Sequence, residues 1–485
     1  MDILLIDPPY TSLKQMAVDR GYNMGLTSLA AYLREVGFDT AVLTADLLLE
    51  KRTALVKTLK PAAFQNPYKY AEGQRQYAAI INDKDHEVWQ KIKSVIRKTQ
   101  PKTIGIPYIT PLKYTVLRVA ALAKEIDKDI KVIVGAFHPT FCPDEVMRAP
   151  NIDFLVLGEG EIPLLSLMKE LKKDAPQFQN VPGISYRDKD GSVKTNPPAP
   201  PIQNLDELPF PARDLVLDCN YKFYTLHSMI SARGCPYTCS FCADRRLWGG
   251  KVRRRSVPSV VKEMKMMQAK YQPTAIEIVD GTFTFDRKYT QAFCEALIGE
   301  GLKVNWRCTG RYDNLDKDIL KLMKKAGCSA LYLGLESGSD KMLEAIDKKF
   351  KVADIVNVNK MVRDAGILLQ VSVIMGLPDE TREDIEATLD LIRSVKMEFL
   401  DINSFIPLPG TPIWDTMTDA EKASIDWLKV GYKSYDNYFS RTISRGDFNN
   451  YLTRAYEISS SVSKKGLVRV VSNTAMRNLK NLMKK

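Results

Sequence analysis

Residues 231–246 read SARGCPYTCSFCADRR, which sets Cys235, Cys239 and Cys242 in a CxxxCxxC spacing. Gly234 and Pro236 make the segment a loop, and the run Ser228–Ser231 before it predicts a strand. Three soft thiolates on one short loop can wrap one face of a cubane iron–sulfur cluster. A four-iron cluster needs four ligands, so three cysteines leave one iron open to a further ligand. The competing readings are unrelated cysteines or zinc, whose sites favour CxxC pairs with a second pair elsewhere. Here the remaining cysteines, Cys142, Cys219, Cys294, Cys308 and Cys328, are all single.

Downstream, candidate strands recur at Ala275–Val279, Lys303–Arg307, Ala330–Leu333, Leu369–Ile374 and Leu400–Phe405, with amphipathic helices between them. Counting Ser228–Ser231, about six β/α units predict a partial barrel over residues 221–414; periodicity alone also fits a second open sheet. Upstream, six prolines between 197 and 211 predict a stiff extended linker, residues 196–220. Residues 1–195 alternate strands (Ile3–Ile6, Thr40–Leu43, Ile104–Ile106, Lys131–Val134, Phe154–Leu157) with helices. That pattern predicts a Rossmann-like parallel sheet with right-handed crossovers and ligands at the carboxyl ends of its strands. Residues 46–100 are polar and helical in character, and past 415 the strand pattern stops, predicting a mostly helical C-terminal cap over 415–485.

At 485 residues, 45% hydrophobic and 26% charged, the chain has the balance of a globular protein, not a disordered one. No apolar run approaches the roughly 18 residues of a membrane span. The opening MDILLIDPPY carries Asp2 and Asp7 without a basic segment, so no secretory signal is expected and the cytoplasm is the expected compartment. Eight cysteines there do not imply a disulfide framework. The net charge of +12 is uneven: residues 464–485 hold seven Lys or Arg and no acid, leaving +5 on the rest. In that tail Leu467, Val468, Met476 and Leu479 interleave with Arg469, Arg477 and Lys480, which suits a basic helix lying on a membrane surface. A surface helix packed on its own barrel fits the same pattern. A nucleic-acid partner is not expected, since the excess charge is mostly local.

CxxxCxxC after the first strand of a β/α barrel resembles the signature of radical S-adenosylmethionine enzymes. LDELPFPARDL at 205–215, GLESGSD at 334–340, GLPDET at 376–381 and PLPGTP at 407–412 are similar to that superfamily in order and interval. The resemblance implies a partial (β/α)6 barrel in which Cys235, Cys239 and Cys242 bind a 4Fe-4S cluster whose open iron chelates S-adenosylmethionine. It implies that Phe241 lies near the adenine, that Glu336 and Ser337 hold the ribose or methionine, and that Arg307 meets the carboxylate. Gly376 and Pro378 would form the turn beside the adenine. Asp280 stands where relatives often carry paired acids, and Gly281 replaces the second, which leaves an acid-pair role in doubt.

The first 195 residues resemble the cobalamin-binding module joined to one branch of these enzymes. The matching segments are IDPPY at 6–10, IPYITP at 106–111, GAFHPTF at 135–141 and LGEGE at 157–161, all after expected strands. The resemblance makes Tyr108, Thr110, Gly135, His138, Pro139, Gly158 and Glu159 the cobalamin-contact candidates, Tyr108 towards the lower face. The DxHxxG motif that supplies an axial histidine elsewhere is absent, and a cobalt–His138 bond is not expected.

Such a chain implies methylation of an unactivated carbon through a 5′-deoxyadenosyl radical and methylcobalamin, with a flavodoxin or ferredoxin as electron donor. Relatives also carry out oxidative ring formation and rearrangement, and lipid modification at a membrane is a further class. An RNA methylthiotransferase resembles the chain less, because it would carry a second cysteine triad near the front. A cobalamin or redox sensor would not need the S-adenosylmethionine motifs. The substrate, whether small molecule, lipid or peptide, is not legible.

Overall fold

The computed structural model describes residues 1–10, 23–49, 67–217 and 226–482. The first part runs β1 (Ile3–Asp7), α1 (Met24–Glu35), β2 (Thr40–Thr44), α2 (Pro67–Asn82), α3 (Glu87–Thr99), β3 (Thr103–Pro107), α4 (Lys113–Ile126) and β4 (Lys131–Gly135). It continues through α5 (Phe137–Phe141), α6 (Pro143–Met147), β5 (Phe154–Val156), α7 (Glu161–Glu170), β6 (Ile184–Arg187) and β7 (Val193–Thr195).

These strands form one sheet in the order β2-β1-β3-β4-β5-β6-β7. The two layers follow from strand alternation: successive side chains point to opposite faces. Leu4 and Ile6 join Trp89, Ile92, Val116 and Val119 under α3 and α4. Ile3 and Leu5 join Leu26, Ala30, Leu164 and Leu167 under α1 and α7. The sequence predicts a parallel sheet, and β2-β1-β3-β4-β5 are parallel, but the sheet is extended by two antiparallel strands. β5 pairs antiparallel with β6, and β6 with β7, around a turn in which Gly191 N–H donates to Asp188 O at 2.9 Å. The DKDG text at 188–191 carried that turn signal.

The second part adds β8 (Leu226–Met229), β9 (Ala232–Arg233), α8 (Asp244–Trp248), β10 (Arg253–Arg254), α9 (Val257–Tyr271), β11 (Ala275–Ile278), α10 (Arg287–Gly299), β12 (Trp306–Gly310) and α11 (Lys317–Lys325). Then come β13 (Cys328–Glu336), α12 (Asp340–Ala345), α13 (Val352–Asp364), β14 (Leu368–Met375), α14 (Arg382–Ser394) and β15 (Phe399–Ser404). Six parallel strands run in the order β15-β14-β13-β12-β11-β8, with β8 and β15 as its edges: an incomplete β/α barrel. The third strand lies at 306–310, not at the expected Lys303–Arg307. Its buried residues alternate as Trp306, Cys308 and Gly310, and it ends on a Thr-Gly pair.

The proline-rich segment is stapled to both halves. Leu217 N–H donates to Val42 O (2.8 Å) in the first sheet, and buried Arg213 donates to Ser228 O (2.7 Å) and Glu263 (2.7 Å) in the barrel. The C-terminal part holds α15 (Pro412–Asp415), α16 (Asp419–Ala423) and α17 (Arg445–Leu482), with irregular backbone between the last two. α17 packs across β15 through Leu452, Ala455 and Tyr456, and Ser459 Oγ donates to Leu400 O at 2.5 Å. Gly466 sits so close that a Cβ there would meet Glu398 O at 1.9 Å. The side chains on which the membrane-surface reading rests lie outside the described residues, apart from exposed Val468.

Candidate active site

The cysteine loop leaves the carboxyl end of β8 and is held by the next strand. Asp280, just past β11, accepts from the N–H groups of Ser231 (2.7 Å) and Ala232 (3.0 Å), and from the Ser231 hydroxyl. A buried carboxylate satisfied in this way shapes backbone, which gives Asp280 a role without a second acid. Gly281 lies against the cysteine loop: a Cβ there would lie 3.3 Å from Asp244 and 3.7 Å from Cys235. Farther along, Ser240 N–H donates to Ile346 O (3.2 Å), Ile413 N–H to Ser240 O (3.0 Å), and Tyr237 OH to Asn314 (2.8 Å). The loop is thus tied to the α12 end, the residue after the PLPGTP segment and the helical turn after β12.

Cys235, Cys239 and Cys242 are free and half-buried. Burial, with Asp244 and the other two thiols near, pushes Cys242 up to about 12. Burial also raises Cys235. Cys235 and Cys242 thus resist ionisation, and a cationic cluster, whose own charge drives thiol deprotonation, would offset that burial. Arg311 supplies a fixed cation: its Nη1 is 3.5 Å from Cys239 Sγ, and Asp313 holds the guanidinium at 3.0 and 3.1 Å. The sequence reading missed Arg311 because it misplaced β12. Arg307, expected at that strand's end, is its second residue and pairs with Glu277 at 3.1 Å near the opposite end. Barrel sites form at carboxyl ends, where Arg311 stands.

Glu336 ends β13 with φ of +66°, a conformation disfavoured for a residue with a Cβ. Its carboxylate pairs with Lys348 at 3.0 Å, both buried, and the Lys348 ammonium lies 5.3 Å from the centre of the Phe241 ring. Phe241 packs beside Leu377, Phe405, Ile413 and Phe439. Phe241, Glu336 and the 376–378 turn therefore meet, joined by Lys348, which nothing in the run KKFK at 348–351 singled out. Gly376 requires its φ of +85°, and a Cβ there would strike Phe448 at 2.7 Å. Ser337 is fully buried; its hydroxyl meets Thr388 at 3.3 Å and tethers the loop to α14.

At the first sheet, the turns after β1, β3, β4 and β5 share one edge. Tyr108, Thr110, His138 and Pro139 form a buried layer beneath it. Tyr108 stacks on His138 with ring centres 4.5 Å apart, and Thr110 Oγ1 meets His138 Nδ1 at 3.0 Å. His138, Cys142 and Glu145 place ligand atoms within 4.8 Å of one another, but Lys113 neutralises Glu145 at 2.6 Å. His138 is thus engaged inside the domain. Gly135 closes β4, where a Cβ would lie 3.2 Å from Val156 O, and Gly158 lies in the half-buried turn after β5, where a Cβ would meet nothing within 4 Å, so a ligand can approach the Gly158 backbone closely. Ala136 takes φ of +81° and ψ of −155° in the same edge. Glu159 turns instead to the barrel: with Glu161 it binds Arg233 (Glu159 at 3.0 Å) and Arg253. These pairs press the glycine-rich edge against the start of the cysteine loop. A cavity of about 820 Å³ opens between α2, the 378 turn and the C-terminal part, lined by Arg75, Pro378, Phe405, Tyr435, Tyr438 and Phe439. The three cysteines, the open Gly158 turn and the 376–378 turn at the cavity's edge fit an iron–sulfur cluster, S-adenosylmethionine and cobalamin.

Two family models match the chain: the radical SAM superfamily over residues 229–392 and the B12-binding domain over 72–168. An uncharacterised methyltransferase of Pyrococcus horikoshii is 31% identical over 419 residues, covering 86% of this chain and 83% of that protein. An anaerobic magnesium-protoporphyrin IX monomethyl ester cyclase of Rubrivivax gelatinosus is 30% identical over 352 residues, covering 70% of this chain and 62% of its own. Among solved structures, the radical S-adenosylmethionine methyltransferase TsrM from Kitasatospora setae, with cobalamin and a [4Fe-4S] cluster bound, matches with a TM-score of 0.62 at 17% identity. That match covers 85% of this chain and 74% of the other.

Proposed function

The chain belongs to the radical S-adenosylmethionine superfamily, in the branch carrying a B12-binding domain, and from that premise we propose that it transfers a methyl group to an unactivated carbon of a small molecule. Its cofactors are a 4Fe-4S cluster, S-adenosylmethionine and cobalamin. When bound, they supply a radical able to break a C–H bond and a methyl group to replace the hydrogen. The observation that carries the reading is the ion-pair contact between the LGEGE turn and Arg233, two residues before Cys235. It brings the cobalamin edge and the cluster loop face to face, as direct transfer onto a substrate radical requires.

Each residue has a physical task in this reading. Cys235, Cys239 and Cys242 hold three irons. Arg311 offsets the negative charge gathered at Cys239. Phe241 and the 376–378 turn form an apolar wall for the adenine, and Glu336, oriented by Lys348, accepts from a ribose hydroxyl. Gly135 and Gly158 offer backbone amides to cobalamin, while Tyr108, Thr110, His138 and Pro139 support that edge from below. The substrate enters the cavity beside Pro378, where Tyr435, Tyr438 and Phe439 exclude water. A flavodoxin or ferredoxin of the cytoplasm provides the electron. No helix among the described residues is long and apolar enough to cross a membrane.

Anaerobic reconstitution with iron, sulfide and hydroxocobalamin, followed by product analysis, tests the reading. Methyl transfer yields both S-adenosylhomocysteine and 5′-deoxyadenosine. Deoxyadenosine alone would overturn it in favour of an oxidative cyclase or a rearrangement.

A further inference from the structure

The two halves meet through four charged groups that are almost wholly buried. Arg233 and Arg253 face each other in the antiparallel β9–β10 ribbon. Arg233 binds Glu159 at 3.0 Å and Glu161 through both guanidinium nitrogens, and Arg253 binds Glu159 and donates to Ile202 O at 2.6 Å. Side-chain exposure is 10% for Arg233, 8% for Arg253, 10% for Glu159 and 5% for Glu161. Two cations and two anions balance, so none can leave without stranding a partner in a poorly solvated place.

The position of the cluster in sequence matters more than its stability. Glu159 directly follows Gly158, in the open turn assigned above to cobalamin. Arg233 is separated from Cys235 by Gly234 alone. Gly234 takes φ of +101° with no room behind it, since a Cβ would lie 2.2 Å from Lys251 O. The ribbon therefore passes displacement of Arg233 to the first cysteine with little slack. An Arg fork on two carboxylates fixes direction as well as distance.

We propose that Glu159 and Glu161 are positioning residues that couple occupancy of the cobalamin turn to the geometry of the cysteine loop, through Arg233 and Arg253. The coupling rests on the cofactor sites assigned above. Because such coupling is reciprocal, cobalamin changes S-adenosylmethionine affinity by the factor with which S-adenosylmethionine changes cobalamin affinity.

The test uses the full chain reconstituted with iron and sulfide. The dissociation constant of S-adenosylmethionine is read from the EPR change of the reduced cluster, with and without hydroxocobalamin. In the wild type the two constants are expected to differ by about fivefold or more. In Glu161→Gln the ratio falls towards one, with iron content and cobalamin stoichiometry retained. If that variant fails to fold, Glu159→Gln carries the same measurement, and Arg233→Lys, which keeps the charge but loses the fork, gives an intermediate ratio. A wild-type ratio of one, or a ratio equal in wild type and variants with only the melting temperature lowered, overturns the coupling. Failure of the wild type to load cobalamin or iron is seen at the loading step, and tells against the cofactor assignment itself.

Discussion

The guanidinium carbon of Arg311 lies over Tyr237, 3.5 Å from the ring centre, while its Nη1 reaches within 3.5 Å of Cys239 Sγ. A cation held in this way stabilises added negative charge more than it stabilises the oxidised site. Arg311→Ala should therefore leave iron binding intact and lower the cluster's reduction potential, on the order of 50 mV for about 1 kcal/mol of lost stabilisation. An EPR-monitored redox titration checks it; an unchanged potential refutes the charge argument. Cys239→Ala, by contrast, should abolish both cluster absorbance and deoxyadenosine formation.

The buried Lys348–Glu336 pair makes a second prediction. Removing one partner leaves an uncompensated charge, a loss of about 3–5 kcal/mol. Lys348→Met should destabilise the fold by roughly that amount, whereas Lys348→Met with Glu336→Gln should recover much of it. Urea unfolding of the singles and the double decides; additive losses would show that the two do not interact.

Ala136 occupies backbone space that suits glycine, at the junction between β4 and α5. Strain of this kind costs about 1–3 kcal/mol. Ala136→Gly should raise the unfolding free energy by roughly 1 kcal/mol, less the entropy that glycine adds to the unfolded chain. Denaturant midpoints at equal slope would measure it, and a lower midpoint would remove strain from the account.

Glu380 gives a pH dependence. Burial raises its carboxyl from the ordinary 4.5 to about 8, against the pull of the Gly376 N–H at 2.6 Å. The raised value means that the folded protein holds the proton more tightly than the unfolded chain. Its contribution is fully present below 4.5 and is lost as pH rises through about 8. Between these limits the wild type should lose stability relative to Glu380→Gln by at most about 1.4 kcal/mol per pH unit. Parallel curves for the two proteins from pH 5 to 8 would be the contrary result.

Much of the architecture was legible because it rests on local patterns. The runs ILLI, KVIV and FLV had to be strands buried on two faces, and CxxxCxxC after a strand had to be a ligand loop. The β6–β7 hairpin was less legible, since its strands are short and β7 is exposed. β12 was shifted because periodicity cannot tell where a strand ends when its last residues are Thr and Gly.

The sequence by itself determined two α/β halves, a proline-rich joint, the three cysteines and the glycine turns of the first sheet. Those features depend on residue type and spacing along the chain. Only the tertiary structure decided that Glu159 serves the interface, that Arg311 rather than Arg307 reaches the cysteines, that Lys348 holds Glu336, and that Tyr108, Thr110 and His138 lie under their turn. Each depends on burial and on partners twelve or more residues away, and the energy of a charged group is set by what surrounds it once water has gone.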